Sequence, residues 1–157
     1  MPVKVYTLED ANRLLPTVET AVRLMQTAVR QAHLARDRVA VLEVLGASDP
    51  QSPENEEWND CRAELEEWKE AFQAEVERLA EHGVIVRDVK DGLVDFPAQR
   101  DGQLVFLCWR LGEASIRFWH EPGAGFAGRR PIEEGERFEG GADPDGPDGP
   151  DVPGDGA

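Results

Sequence analysis

Apolar residues recur at steps of three and four over most of the first half of this chain, and they leave little choice of fold. Val18, Val22, Met25, Val29, Ala32 and Val39 form one such series; Trp58, Cys61, Leu65, Trp68, Phe72, Val76 and Leu79 form another. That spacing lines one side of an α-helix and suits packing along a narrow seam. Thr7, with Asp10 three residues on, caps the first helix. Pro16 removes a backbone donor, so a kink or break is expected near Leu15. Gly46 ends the helix near Leu45, and GASDPQSP (46–53) reads as a turn cluster. The second helix runs from about Glu54 to Glu81 and stops at His82–Gly83. Two long helices joined by a short loop form an antiparallel hairpin over 7–82. Their narrow apolar stripes are expected to pair with a second copy, giving a coiled-coil-like homodimer.

The period changes from about 3.6 to 2 at Val84. VIVRDV, LVDFP, QLVFLCWR and SIRFWHE read as four strands, separated by Asp91–Gly92, Asp101–Gly102 and Gly112–Glu113. The expected fold is therefore α+β: a helical hairpin, then a four-stranded antiparallel β-meander over 84–121 and a Gly-rich loop over 122–132. Residues 1–132 are read as a single domain. Residues 133–157 hold nine acids and one base, a net −8 of the chain's −15. With almost nothing apolar to bury there, a disordered acidic tail is expected.

Charge narrows the function. The remaining −7 sits on residues 1–132, and an acidic domain is a poor match for phosphate backbones, so no nucleic-acid partner is expected. No run approaches membrane-spanning length and no signal peptide is evident, so a cytoplasmic protein is expected. Cys61 and Cys108 lie in separate elements and suggest neither a disulfide framework nor a metal knuckle.

Chemistry-bearing residues concentrate in LCWRLGEASIRFWHEPGAGFAGRRP, Leu107–Pro131. If Asp101–Gly102 and Gly112–Glu113 each centre a two-residue turn, Asp95 lies opposite Cys108, and Cys108 opposite Arg117. Val94, Phe96, Val105, Leu107, Trp109, Ile116, Phe118 and His120 then share one face. Leu93, Asp95, Phe106, Cys108, Arg110, Arg117 and Trp119 share the other. The first face is apolar and is expected to pack on the helices. The second makes Asp95, Cys108, Arg117 and Trp119 candidate ligand-binding residues, with Glu113 and Arg129 added from the adjoining turn and loop and His120 from the end of the apolar face.

Each candidate has a plainer reading. His120 is read first as a rim histidine bonded to a carboxylate or a carbonyl. In this register it points away from Asp95 and Cys108, so no metal site is expected. Arg117 beside Asp95 reads as a structural ion pair, and Trp119 as a packing ring. Cys108 lacks a histidine base for nucleophilic work. Gly123, Gly125 and Gly128 free the loop to turn and offer backbone donors to a small anion, with Arg129 alongside. The preferred alternative is a loop whose Phe126 plugs the core. No Lys-Ser/Thr follows, so this is no P-loop.

YTLEDANRLLP, GLVDFPA and LCWRLGE…IRFWHEPGAGFAGRRP occur in that order across residues 5–132. On these motifs the chain resembles a bacterial family of small proteins known only as a conserved domain of unknown function. Its motif positions here are Asp95, Phe96, Pro97, Cys108, Trp109, Gly112, Glu113, Trp119, His120, Gly125 and Arg129. The resemblance implies no reaction, and the cofactor stays unknown. The residues then support two readings. One is a non-enzymatic dimeric interaction or ligand-binding module, taking a small anion or a protein partner. The other is a metal-dependent or acid–base enzyme using Glu113, His120 and Arg129.

Overall fold

A computed structural model describes residues 4–139. Helix α1 spans Leu8–Val44 and α2 spans Asn55–Glu81; strands β1 (Ile85–Asp88), β2 (Leu93–Arg100), β3 (Gln103–Arg110), β4 (Phe118–His120) and β5 (Arg130–Pro131) follow. The five strands form one antiparallel sheet in sequential order. The α+β class holds, with five strands rather than four. The extra strand is Arg130–Pro131, after the Gly-rich loop, where two residues are too few to show a period.

The described residues divide into two compact units, 21–77 and 4–20 with 78–139. In the first, Val22, Met25, Ala28, Ala35 and Leu42 of α1 are buried. Gly46, with φ 83°, turns the chain out of α1, and the Ala47 N–H returns to the Leu42 carbonyl at 2.9 Å. Asn55 Nδ2 donates to the Ala47 carbonyl, joining the loop to the start of α2. Arg38 forks onto Glu57 at 2.7–3.0 Å. Both side chains are about half exposed, so this pair adds little stability.

In the second unit, α1 continues through Pro16, against the break expected there. Ala11, Leu15 and Val18 on either side are all buried, and that burial offsets the one helix bond a proline removes. Thr7 caps as its position suggests, its hydroxyl accepting from the Asp10 N–H at 3.0 Å. Gly83, φ 72°, closes α2 with the Val84 N–H on the Leu79 carbonyl.

The β2–β3 hairpin turns at Asp101–Gly102, both at positive φ (53° and 77°). This turn matches the right-handed twist of the strands and sets Asp95 opposite Cys108, as the spacing requires. The β3–β4 connection is different. It is a loop, Leu111–Arg117, rather than a two-residue turn, and Cys108 pairs with Phe118 instead of Arg117. A shift of one residue reverses every side chain of β4. Trp119 thus joins Val94, Phe96, Ala98, Val105, Leu107 and Trp109 on the apolar face, where all seven are buried. Phe118 and His120 move to the face of Asp95 and Cys108. Trp109 Nε1 donates to the Glu113 carbonyl at 2.9 Å and holds the loop that makes this shift.

Order also continues past Ile132. Gln99 and Glu139 exchange backbone bonds at 3.1 and 2.7 Å, Arg100 Nε reaches Glu136 at 2.8 Å, and Phe138 is buried beside Trp119. Glu133 is therefore too early a start for the expected tail. One aromatic anchor, Phe138, was hidden in the average composition. The rest of that tail, 140–157, lies outside the described residues.

Tyr6 pins the N-terminal segment. Its N–H bonds the Pro97 carbonyl, its ring meets Phe96 edge-on at 5.4 Å, and its hydroxyl donates to the His82 carbonyl. Burial, helped by Asp10, pushes the phenol up to about 12. The folded state then favours the neutral phenol, whose stabilisation is complete below the unfolded value near 10 and is lost as pH rises towards 12. Urea melts are expected to lose roughly 2–3 kcal/mol across that window. Tyr6→Phe should cost about 1 kcal/mol at neutral pH and show a shallower alkaline decline.

Candidate functional site

The reversed parity of β4 assembles the site. Asp95 on β2, Cys108 on β3 and His120 on β4 share one face of the sheet, and all three are buried. Asp95 is flanked in sequence by apolar Val94 and Phe96, which the pleat sends to the other face. Its Oδ2 accepts from Arg87 Nε at 2.8 Å and faces His120 Nε2 at 2.9 Å. His120 Nδ1 lies 2.9 Å from the Glu121 carbonyl. A carbonyl only accepts, so Nδ1 donates to it, and a second proton lies in the contact between Nε2 and the Asp95 carboxylate. The ring also rests against Phe106, with centroids 5.5 Å apart.

Cys108 sits between this pair and a second one. Arg129 forks onto Glu113, NH1 to Oε2 at 3.0 Å and NH2 to Oε1 at 2.9 Å, and its NH2 also reaches the Cys108 carbonyl at 3.3 Å. Its guanidinium lies over Phe118 and Phe126, 4.0 and 4.6 Å from the ring centroids. Glu113 Oε1 accepts the Arg110 N–H at 2.8 Å as well. Glu113 is thus committed to holding Arg129 and its own loop. Burial above all, and then the Asp95 carboxylate, pushes the Cys108 thiol up to about 12; Arg129 opposes the shift. A thiol held neutral in this way is a poor nucleophile.

Two buried polar atoms in this cluster have no hydrogen-bond partner among the described residues, Asp95 Oδ1 and Arg129 Nε. Among the described residues, one donor atom each from Asp95, Cys108 and His120 lie within 4.8 Å of one another. The set is one carboxylate, one thiol and one imidazole.

Five of the seven candidates therefore converge: Asp95, Cys108 and His120 in one group, Glu113 and Arg129 beside it. Two do not. Arg117 is exposed and bonds Ser115 at 3.4 Å, so it is no partner of Asp95. Trp119 packs on the apolar face against Phe138, with Arg100 and Arg130 over its ring at 4.5 and 5.1 Å. Phe126 is 41% exposed; it covers Arg129 instead of plugging the core. The Gly-rich loop spends its Ala124, Gly128 and Arg129 N–H groups on its own turns, which removes them from any anion nest. Sequence reasoning missed Arg87. A register shift between Val86 and Asp88 leaves Arg87 in a bulge, and bulges re-aim side chains. No residue type in VIVRDV signals it.

Fold and site together define an α+β protein carrying a buried carboxylate–thiol–imidazole cluster on its sheet. The chain belongs to the uncharacterized conserved protein family DUF2203, whose model matches residues 4–132. No curated protein and no solved structure matches it. No described helix is long and apolar enough to cross a membrane.

Proposed function

We propose that this protein is a non-enzymatic, homodimeric binding module whose ligand seat is the polar face around Cys108. One observation carries the reading of the seat. Its charged groups are otherwise closely paired, yet one acceptor, Asp95 Oδ1, and one donor, Arg129 Nε, are buried without partners among the described residues. A leftover buried polar atom costs about 1–3 kcal/mol, and a bound ligand is what would recover it. The acid–base alternative finds less support. Glu113 is engaged on both oxygens, both ring nitrogens of His120 have partners, and Cys108 is a neutral thiol.

The dimer rests on the hairpin. Leu24, Leu34, Val41, Val44 and Leu45 of α1 are exposed, and every apolar residue of the α2 stripe before Leu79 is only half-buried. Apolar surface left open along a helical hairpin suits a second copy of the same hairpin.

Native mass spectrometry of the full-length protein, purified without chelators, tests both halves. The expected spectrum shows a dimer carrying a non-covalent adduct that is shed on denaturation and absent from Asp95→Asn. A bare mass in the native spectrum would remove the ligand seat. A monomer at every concentration would remove the dimer.

A further inference from the structure

We infer that the Asp95–Cys108–His120 cluster is a binding site for a single divalent ion of the zinc class. The inference rests on the polar face being a ligand seat and names what it takes. Three donors of different type come from three adjacent strands, with their donor atoms inside 4.8 Å. Tetrahedral zinc with bonds of about 2.0–2.3 Å sets its ligands roughly 3.3–3.8 Å apart. Donor atoms within 4.8 Å of one another need to close by no more than about 1–1.5 Å to reach that spacing. The sheet holds the three backbones in register, so side-chain rotation alone supplies the change.

The surroundings fit the same ion. His120 gives its Nδ1 proton to the Glu121 carbonyl. That is the outer bond metal-bound histidines make, and it leaves Nε2 as the ligating atom. Arg87 grips Asp95 Oδ2, while Oδ1 makes no hydrogen bond among the described residues. One carboxylate oxygen is thus held in place while the other is open to a cation. The donor set also selects the metal. Magnesium and calcium prefer oxygen-only shells, whereas thiolate with imidazole and carboxylate suits zinc. On binding, the Cys108 thiol and the Nε2–Oδ2 hydrogen bond each release one proton to solvent, and sulfur, Nε2 and the carboxylate bond the ion. Zinc, thiolate and carboxylate then sum to zero charge, and the one charge left over is that of Arg87, whose side chain is 44% exposed to solvent. Three protein ligands leave a fourth position for water or a ligand.

The full-length protein, stripped with a chelator and dialysed, is titrated with Zn²⁺ alone and separately with Co²⁺ alone. One ion per chain is expected. The cobalt form should show thiolate-to-cobalt charge-transfer absorption with intense tetrahedral d–d bands. Cys108→Ser should abolish the charge-transfer band. Cys108→Ser and His120→Gln should each weaken zinc binding by more than about a hundredfold, beyond what loss of an outer-shell partner causes. Cys61→Ser should change nothing. Circular dichroism of each variant establishes that it is folded, and either variant alone suffices. Absence of binding in the wild type, or wild-type affinity in a folded Cys108 or His120 variant, overturns the inference and leaves a buried ion-pair network only. A charge-transfer band that disappears with Cys61 also overturns it. An organic adduct in the native mass spectrum without metal uptake overturns the zinc site while leaving the ligand seat standing.

Discussion

Asp95→Ala is expected to destabilise the chelator-treated protein by about 3–5 kcal/mol, because it breaks a buried charge network on one side only. Asp95 is 1% exposed and is the common partner of Arg87 and His120. Removing it takes the carboxylate from Arg87, which keeps its place over the Phe106 ring 5.1 Å away and its solvent contact, and leaves the buried His120 Nε2 facing a void. Urea denaturation read by tryptophan fluorescence gives the change. His120→Gln is expected to cost less, since Arg87 still holds Asp95. The double variant tests the network directly. If the two effects simply add, the residues are energetically independent and the network has been misread.

Trp109→Ala is expected to cost as much, about 3–5 kcal/mol, and to do more than open a cavity. Trp109 is fully buried on the apolar face, and its indole N–H holds the Glu113 carbonyl. Glu113 in turn holds Arg129 over Phe118. Loss of the indole therefore loosens the loop that sets the position of β4, and with it His120. Thermal melts should show the destabilisation. The imidazole resonances of His120 should also shift in the variant although no bond to His120 has been cut. Trp109→Phe, which fills most of the volume and lacks the N–H, separates the two effects. An unmoved His120 in both variants would mean that the loop holds its shape without Trp109.

Much of this architecture was legible beforehand because periodicity is a local signal. Steps of three and four marked both helices to within a residue or two of their ends. Alternation marked the strands, and Asp101–Gly102 set the β2–β3 register because a two-residue turn allows only one pairing. The site was half legible. Asp95, Cys108, Glu113, His120 and Arg129 stood out by residue type and density, but their grouping did not.

Three features lay beyond any local rule. Pro16 stays helical since buried neighbours on both sides outweigh one lost bond. Arg87 enters the site through a bulge between Val86 and Asp88 that no turn residue announces. Gly112–Glu113 looked like a hairpin turn; it is part of a loop whose length is set by the Trp109 and Arg129 contacts to Glu113. The amino-acid order by itself determined which segments are helix and strand and how β2 meets β3, because those depend on neighbours a few positions apart. Tertiary packing alone decided which way β4 faces. One residue of register separates a histidine aimed at the apolar core from one bonded to Asp95 beside Cys108, and only contacts distant in sequence fix that residue.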